Sequence, residues 1–334
     1  MKSGQETNGI RTPGIKIGHQ DDPVALTGCT VILCEEGVVG GLDKRGGGTT
    51  SRQADAFEPW HVVQQVHGLL LTGGSAFGLD ALSGVLRFLE ENEIGFDMRV
   101  ARVPIAAAAG LFDLGIGDAM VRPTPEMAYQ ACLKATANRP DEGCVGAGMG
   151  ATVGKILGME FAMKSGIGWY SELLNSGLVV EAIAAVNPGG DVINPDNGQI
   201  IAGVRSPTSG NHDKRAGYFA DAQQLIKKMD PQTNPGHGIE NTVIGAVLTN
   251  AILDKIQATK VAQMAQDGLA RSVRPIHTMY DGDTIFTLAS CDVPADVNLI
   301  GSVGAEVFGQ AVVRAVLNAK SMGGLPASAD APLE

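Results

Sequence analysis

Residues 242–249, Thr-Val-Ile-Gly-Ala-Val-Leu-Thr, form an apolar, β-branched run entered directly from a loop. That loop, Asp230-Pro-Gln-Thr-Asn-Pro-Gly-His-Gly238, is too rich in Pro, Gly and Asn for helix or strand. The run therefore starts abruptly as a strand at Thr242. Residues 252–271 follow as an amphipathic helix carrying Ile256, Val261, Ala265 and Leu269. Residues 284–288 read as another strand. Residues 303–319 read as a final helix with Val307, Phe308, Ala311, Val312 and Ala315 inward. Strands and helices mixed in this order require a layered α/β domain.

The earlier part of the chain fits the same class. Residues 29–34 and 38–41 are short apolar runs around Glu-Glu-Gly and read as a β-hairpin. Residues 43–52 are a polar, glycine-rich loop. Residues 68–71 form a short buried strand running into Thr72-Gly-Gly-Ser75. A helix then carries Phe77, Ala81, Leu82, Val85, Leu86 and Leu89 and stops between Asn92 and Gly95. Residues 106–110 are a close-packing alanine segment, and 127–137 a further helix. Residues 178–186 read as a buried strand stopped by Asn187-Pro188, and 194–198 as a turn. Residues 205–240 are the longest candidate loop, with 218–228 as a helix inside it. The tail from Pro326 is expected to fray. No repeat is visible, and residues 1–334 read as a single catalytic domain.

Composition excludes several function classes. The 25 basic and 36 acidic residues give a net charge of −11, and no basic run exists to follow a nucleic acid. No stretch reaches the roughly 18 apolar residues expected of a membrane span. The first eight residues are polar, unlike a secretory signal. The five cysteines are scattered, with no C-x-x-C pair, and read as reduced thiols of a cytoplasmic protein. The six histidines, His61, His67 and His277 among them, show no metal-ligand spacing and read as structural or surface residues. No cofactor is expected.

Asn241-Thr242 stands at the loop-to-strand junction. Cleavage before Thr242 would free its α-amine, whose ordinary pKa of about 7.7–8.0 suits proton transfer near neutrality. A Thr hydroxyl paired with its own amine is an activated nucleophile. Read alone, Asn-Thr at a strand start is equally ordinary turn chemistry. Gly146-Ala-Gly-Met-Gly-Ala151 superficially matches G-x-G-x-x-G/A, but a loop precedes it where a strand is required, so its glycines read as sites of close backbone approach. Lys155 behind this segment reads as a surface lysine or as a cation that favours an oxyanion. Asn187 reads as a turn residue or as an amide donor to an oxyanion. Asp281 and Asp283, two apart before a strand, read as turn acids or as a pair that orients an ammonium or shares a proton. Thr72-Gly-Gly-Ser75 offers N–H groups to an anion, or a simple strand-to-helix turn.

Taken together, Asp43-Lys-Arg-Gly-Gly-Gly48, Leu71 to Ala81, Gly146 to Lys155, Asn241 to Asn250 and Pro275 to Thr284 resemble, in this order and over most of the chain, one family. It contains the L-aminopeptidase/D-amidase/esterases, the β-peptidyl aminopeptidases and the nylon-oligomer hydrolases. The resemblance implies an αββα layered fold, similar to that of the ornithine acetyltransferases. It also implies autocleavage between Asn241 and Thr242 into 1–241 and 242–334, with Thr242 as nucleophile. It places Lys155 and Asn187 beside the nucleophile and matches Asp281 and Asp283 to the acidic pair of the nylon-oligomer hydrolases. The substrate implied is a small peptide or amide, and the assembly a homo-oligomer, with a tetramer favoured. Three positions depart from the family: Glu240 stands where Gly is usual, Val243 where a second Thr is usual, and Phe112 where the nylon-oligomer hydrolases have a substrate-side Tyr. Two other activities stay open: acyl transfer by the same Thr, and an uncleaved small-molecule binding protein.

Overall fold

The computed structural model describes residues 9–207, 217–230 and 241–332. The loop expected over 231–240, with Glu240, and the polar start of the chain lie outside the described residues. Nine strands form one hydrogen-bonded sheet. They are β1 (Ile15–Asp22), β2 (Thr27–Lys44), β3 (Ser51–Arg52), β4 (Val66–Thr72), β5 (Ala106–Gly110), β6 (Ile167–Leu173), β7 (Val179–Asn187), β8 (Thr242–Ala251) and β9 (Thr284–Val293). The order is β6-β7-β8-β9-β2-β4-β5-β3, with β1 on β2. The sheet is mixed: β8 runs parallel to β9 and antiparallel to β7, and β4 runs parallel to β5.

Alternation along the strands shows how this sheet doubles into two layers. On β8, Val243, Val247 and Ala251 pack with residues of helices α3 (Lys255–Ser272) and α4 (Val297–Leu317). Ile244, Ala246 and Leu248 face the other way, onto Ile32, Leu69, Leu71, Ala107 and Ala109 of β2, β4 and β5. The outer face of that second layer, Val31, Leu33, Leu70, Ala106 and Ala108, packs on helices α1 (Leu82–Glu91) and α2 (Pro125–Leu133). The layers are therefore helix, sheet, sheet, helix, as the αββα expectation requires. Every residue of β8 is buried, which is why its sequence is a continuous apolar run. Small residues set the helix spacing: a Cβ on Gly268 of α3 would lie 1.9 Å from the Ala305 carbonyl of α4. α4 is apolar and long enough to cross a membrane by composition, but 67% of that window is buried inside the protein.

Several expectations are corrected. Residues 29–41 are not a hairpin but part of the single strand β2. Glu35-Glu36-Gly37 is an irregularity between Leu33 and Val38, with Gly37 at φ 79°, that re-aims the strand without reversing it. The first half of β2 thus pairs with β1 and β4, and residues 39–44 pair with β9, joining the two layers. The helix expected from residue 75 is broken into a turn, Ser75–Gly78, a 3-10 turn and α1, which leaves Phe77 exposed beneath the Arg122 guanidinium. Ile256 points outward, 69% exposed, because the buried stripe of α3 runs through Ala258, Val261, Ala262, Ala265 and Leu269. The tail does not fray at Pro326: Ser328 is buried and its hydroxyl donates to the Ile201 carbonyl.

Candidate active site

Thr242 is the first residue of β8 and Asn187 the last of β7, and the antiparallel register sets them directly opposite. On the other side, Asn241 pairs with Asp281 as the parallel ladder between β8 and β9 begins. The Asn241–Thr242 peptide therefore sits at the lip of the sheet, between two ordered neighbours. The Asn241 N–H donates to the Tyr280 carbonyl at 3.2 Å, and the Asn241 carbonyl accepts from Gly282 N–H at 2.8 Å. The Thr242 hydroxyl donates to the same carbonyl at 2.5 Å. The Thr242 hydroxyl and a fixed main-chain donor thus converge on one peptide carbonyl.

The loop carrying Gly282 is held from beneath by the glycine segment 46–48. Gly48 N–H donates to the Asp281 carbonyl at 2.9 Å, Gly47 N–H to Thr278 at 3.1 Å, and Arg45 N–H to Asp283 at 3.1 Å. A Cβ on Gly46 would lie 2.0 Å from the Asp281 carbonyl oxygen, so only glycine allows this approach.

Asp281 and Asp283 are both buried but do different work. Asp281 accepts Thr278 N–H at 2.5 Å. Burial, reinforced by the charge of Asp283, pushes its carboxyl up to about 6. Asp283 accepts Val243 N–H on one oxygen at 2.8 Å, and His277 on the other, from the main-chain N–H at 3.2 Å and Nδ1 at 2.8 Å. It therefore fixes the residue after Thr242.

Lys155 is buried, with its ammonium donating to the Asn187 carbonyl at 2.9 Å. Its main chain and that of Gly154 donate to Gly189 and Gly190, so the segment braces the turn after β7. Burial pushes Lys155 down to about 7, against the raising pull of Asp281 and Asp113. The Asn187 side-chain oxygen accepts from Thr152 N–H at 2.9 Å and from its hydroxyl at 3.2 Å. One amide hydrogen of Asn187 donates to the Phe112 carbonyl at 2.8 Å. Phe112 thus meets this cluster through its main chain. Next to it, Asp113 is buried, accepting Gly74 N–H and the Thr27 hydroxyl, both at 2.7 Å, and burial raises its carboxyl. This gives the Thr72–Ser75 segment a structural role: Gly74 N–H serves a carboxylate of the protein itself.

The fold thus brings Thr242, Asn241, Lys155, Asn187, Asp281 and Asp283 together. Sequence reasoning missed His277, Gly282 and Thr152. The only signals were the Pro-Ile-His-Thr and Asp-Gly-Asp segments, where His277 read as a loop histidine and Gly282 as a turn former. Among the described residues, no group of three or more His, Cys, Asp or Glu is arranged to hold a metal ion.

Comparison with known proteins identifies the family. The model of peptidase family S58 matches residues 11–329. An uncharacterized aminopeptidase of Mycobacterium leprae (strain TN) is 38% identical over 94% of this chain and 91% of its own length. A 6-aminohexanoate-oligomer endohydrolase of Kocuria sp. (strain KY2) is 25% identical over 94% of this chain and 87% of its own. In fold, the L-aminopeptidase D-Ala-esterase/amidase of Ochrobactrum anthropi, described as a variant of the N-terminal nucleophile hydrolase fold, superposes with a TM-score of 0.70. It is 17% identical and covers 98% of this chain and 90% of that one. With a family match across nearly its whole length and a relative above a third identical, this chain belongs to peptidase family S58 and is a hydrolase of peptide or amide bonds.

Proposed function

We propose that this chain is an N-terminal nucleophile aminopeptidase or amidohydrolase that matures by cutting itself between Asn241 and Thr242. The observation that carries this reading is the pair of contacts on the Asn241 carbonyl, from the Thr242 hydroxyl at 2.5 Å and Gly282 N–H at 2.8 Å. In maturation, Thr242 Oγ1 adds to the Asn241 carbonyl carbon, and the oxyanion is received by Gly282 N–H. The C–N bond breaks, the hydroxyl proton leaves with the Thr242 amine, and an ester joins Asn241 to Thr242 Oγ1. Water then hydrolyses the ester, leaving a carboxylate on Asn241 and a free α-amine on Thr242.

In turnover, that amine takes the hydroxyl proton as Oγ1 attacks a substrate amide. The leaving amine departs, and water releases the acid from the acyl-enzyme. Lys155 supplies a hydrogen-bond donor beside the nucleophile, positively charged below about pH 7, and the second amide hydrogen of Asn187 serves the substrate oxyanion. Asp283 holds Val243, and Asp281 positions the Thr242 amine or a substrate ammonium. The scheme uses no metal or cofactor.

The test is the intact mass of the denatured protein followed over time at neutral pH, beside a Thr242→Ala variant. The wild type should give two fragments, the smaller beginning at Thr242, and hydrolyse amino-acid anilides. Thr242→Ala should stay whole and inactive. A cut, active Thr242→Ala protein refutes the assignment.

A further inference from the structure

We propose that His277 is a positioning residue for the self-cleavage, acting through Asp283; this rests on the reading of Thr242 given above. His277 contacts the Asp283 carboxylate twice, through its main-chain N–H and through Nδ1, both on Oδ2. The other oxygen of that carboxylate receives Val243 N–H. Asp283 is fully buried, so its orientation is set by these contacts and not by water. The carboxylate lies between two pieces of main chain whose relative position decides the chemistry. One is Thr242–Val243, which carries the nucleophile. The other is the 281–283 loop, whose Gly282 N–H meets the Asn241 carbonyl.

Two further observations bear on His277. Its φ is 60°, in the left-handed region where Asn, Asp and His are the commonest residues after Gly. Among the described residues, its buried Nε2 has no hydrogen-bond partner. A carboxylate only accepts, so Nδ1 carries a proton and donates it to Asp283. A ring donor aimed at Asp283 fixes the carboxylate.

The positive φ supplies a clean test. His277→Gly keeps the backbone free to hold φ 60° but removes the side-chain donor. His277→Asn keeps both a residue tolerant of that φ and a side-chain N–H donor. The rate of precursor cleavage is followed by intact mass, with thermal unfolding midpoints measured on the same samples. His277→Gly should cleave at least about ten-fold more slowly than wild type, the cost of losing one hydrogen bond to a charged group. His277→Asn should recover most of that rate, with both variants unfolding within a few degrees of each other. Cleavage of His277→Gly at the wild-type rate overturns the proposal. So does equal slowing in both variants, which would make the imidazole a packing element. If the wild type itself does not cut, the reading of Thr242 fails instead, and the two failures are told apart.

Discussion

At Gly282 a single methyl group should act directly on the peptide proposed to be cut. A Cβ built there would lie 2.8 Å from Thr242 Oγ1, 3.0 Å from the Gly48 carbonyl oxygen and 3.3 Å from Thr242 Cγ2. The residue is outside the left-handed region, so alanine meets no backbone strain and its effect is purely one of space. The Gly48 oxygen cannot easily withdraw, because Gly48 is tied to the same loop through Asp281. Either the Thr242 side chain rotates away from the Asn241 carbonyl, or the 281–283 loop backs off by roughly half an ångström. Overpacking of this kind costs about 1–3 kcal/mol of stability. Its effect on the proposed cleavage should be larger, because both routes spoil the contacts on the Asn241 carbonyl. Losing one preorganised oxyanion donor costs about 2.7–4 kcal/mol, or 10²–10³ in rate. Gly282→Ala should therefore fold, lose a few degrees in thermal midpoint, and accumulate as uncut precursor by intact mass. In a Thr242→Ala background two of the three close contacts vanish, so most of the stability cost of Gly282→Ala should vanish too. Wild-type cleavage by Gly282→Ala, or an undiminished cost in that background, would refute the geometry.

Two further substitutions probe the charges around this peptide. Lys155 is pushed from 10.5 to about 7 in the fold, so between those values the unfolded chain holds a proton that the native chain has lost. Stability must then rise with pH from about 7 to about 10.5, by up to about 1.4 kcal/mol per pH unit, and show no slope from this residue below 7. Lys155→Met should remove that rise, and denaturation midpoints at pH 7 and 9 that climb as steeply as in the wild type would contradict it. Asp283→Asn presents an NH₂ group to either Val243 N–H or His277. It should cost about 1–3 kcal/mol and slow the cut, and wild-type values for both would remove Asp283 from the site.

The sequence was most legible where burial is uniform. The run Val243–Leu248 reads as a strand because both its faces are covered. It was misleading where one strand serves two layers: the polar interruption at Glu35-Glu36-Gly37 looks like a reversal, yet long-range pairing with β4 and β9 keeps β2 continuous. Ile256 was misassigned because the apolar stripe of α3 is built mainly of alanine, and one bulky residue beside it outweighs the small ones in a hydrophobic count. In the site, Lys155, Asn187 and Asp283 were found because their side chains carry the contacts. Gly282 contributes only a main-chain N–H, and the Phe112 contact to Asn187 only a carbonyl. Neither contact depends on the side chain that the sequence records. His277 was passed over because its partner lies six residues on, across a loop that no periodicity describes.

Register favours residue 242 over its neighbours as the proposed nucleophile. On β8, residues 244, 246 and 248 face the layer between the sheets, and on β7 residues 183 and 185 do the same. Extending both alternations by one step brings Thr242 and Asn187, which are cross-strand partners, to the edge of that layer on the same face. Residue 243 has the opposite parity and is packed toward the helices. A hydroxyl there would be sealed in the core against α3 and α4, away from Gly282 and from Lys155. Replacing the usual second Thr by Val243 therefore sits comfortably with an intact site, since that position contributes its N–H to Asp283 and its side chain to the core. The proposed chemistry rests on one strand end where a two-residue period, a parallel ladder and an antiparallel ladder all bring their groups to the same peptide bond.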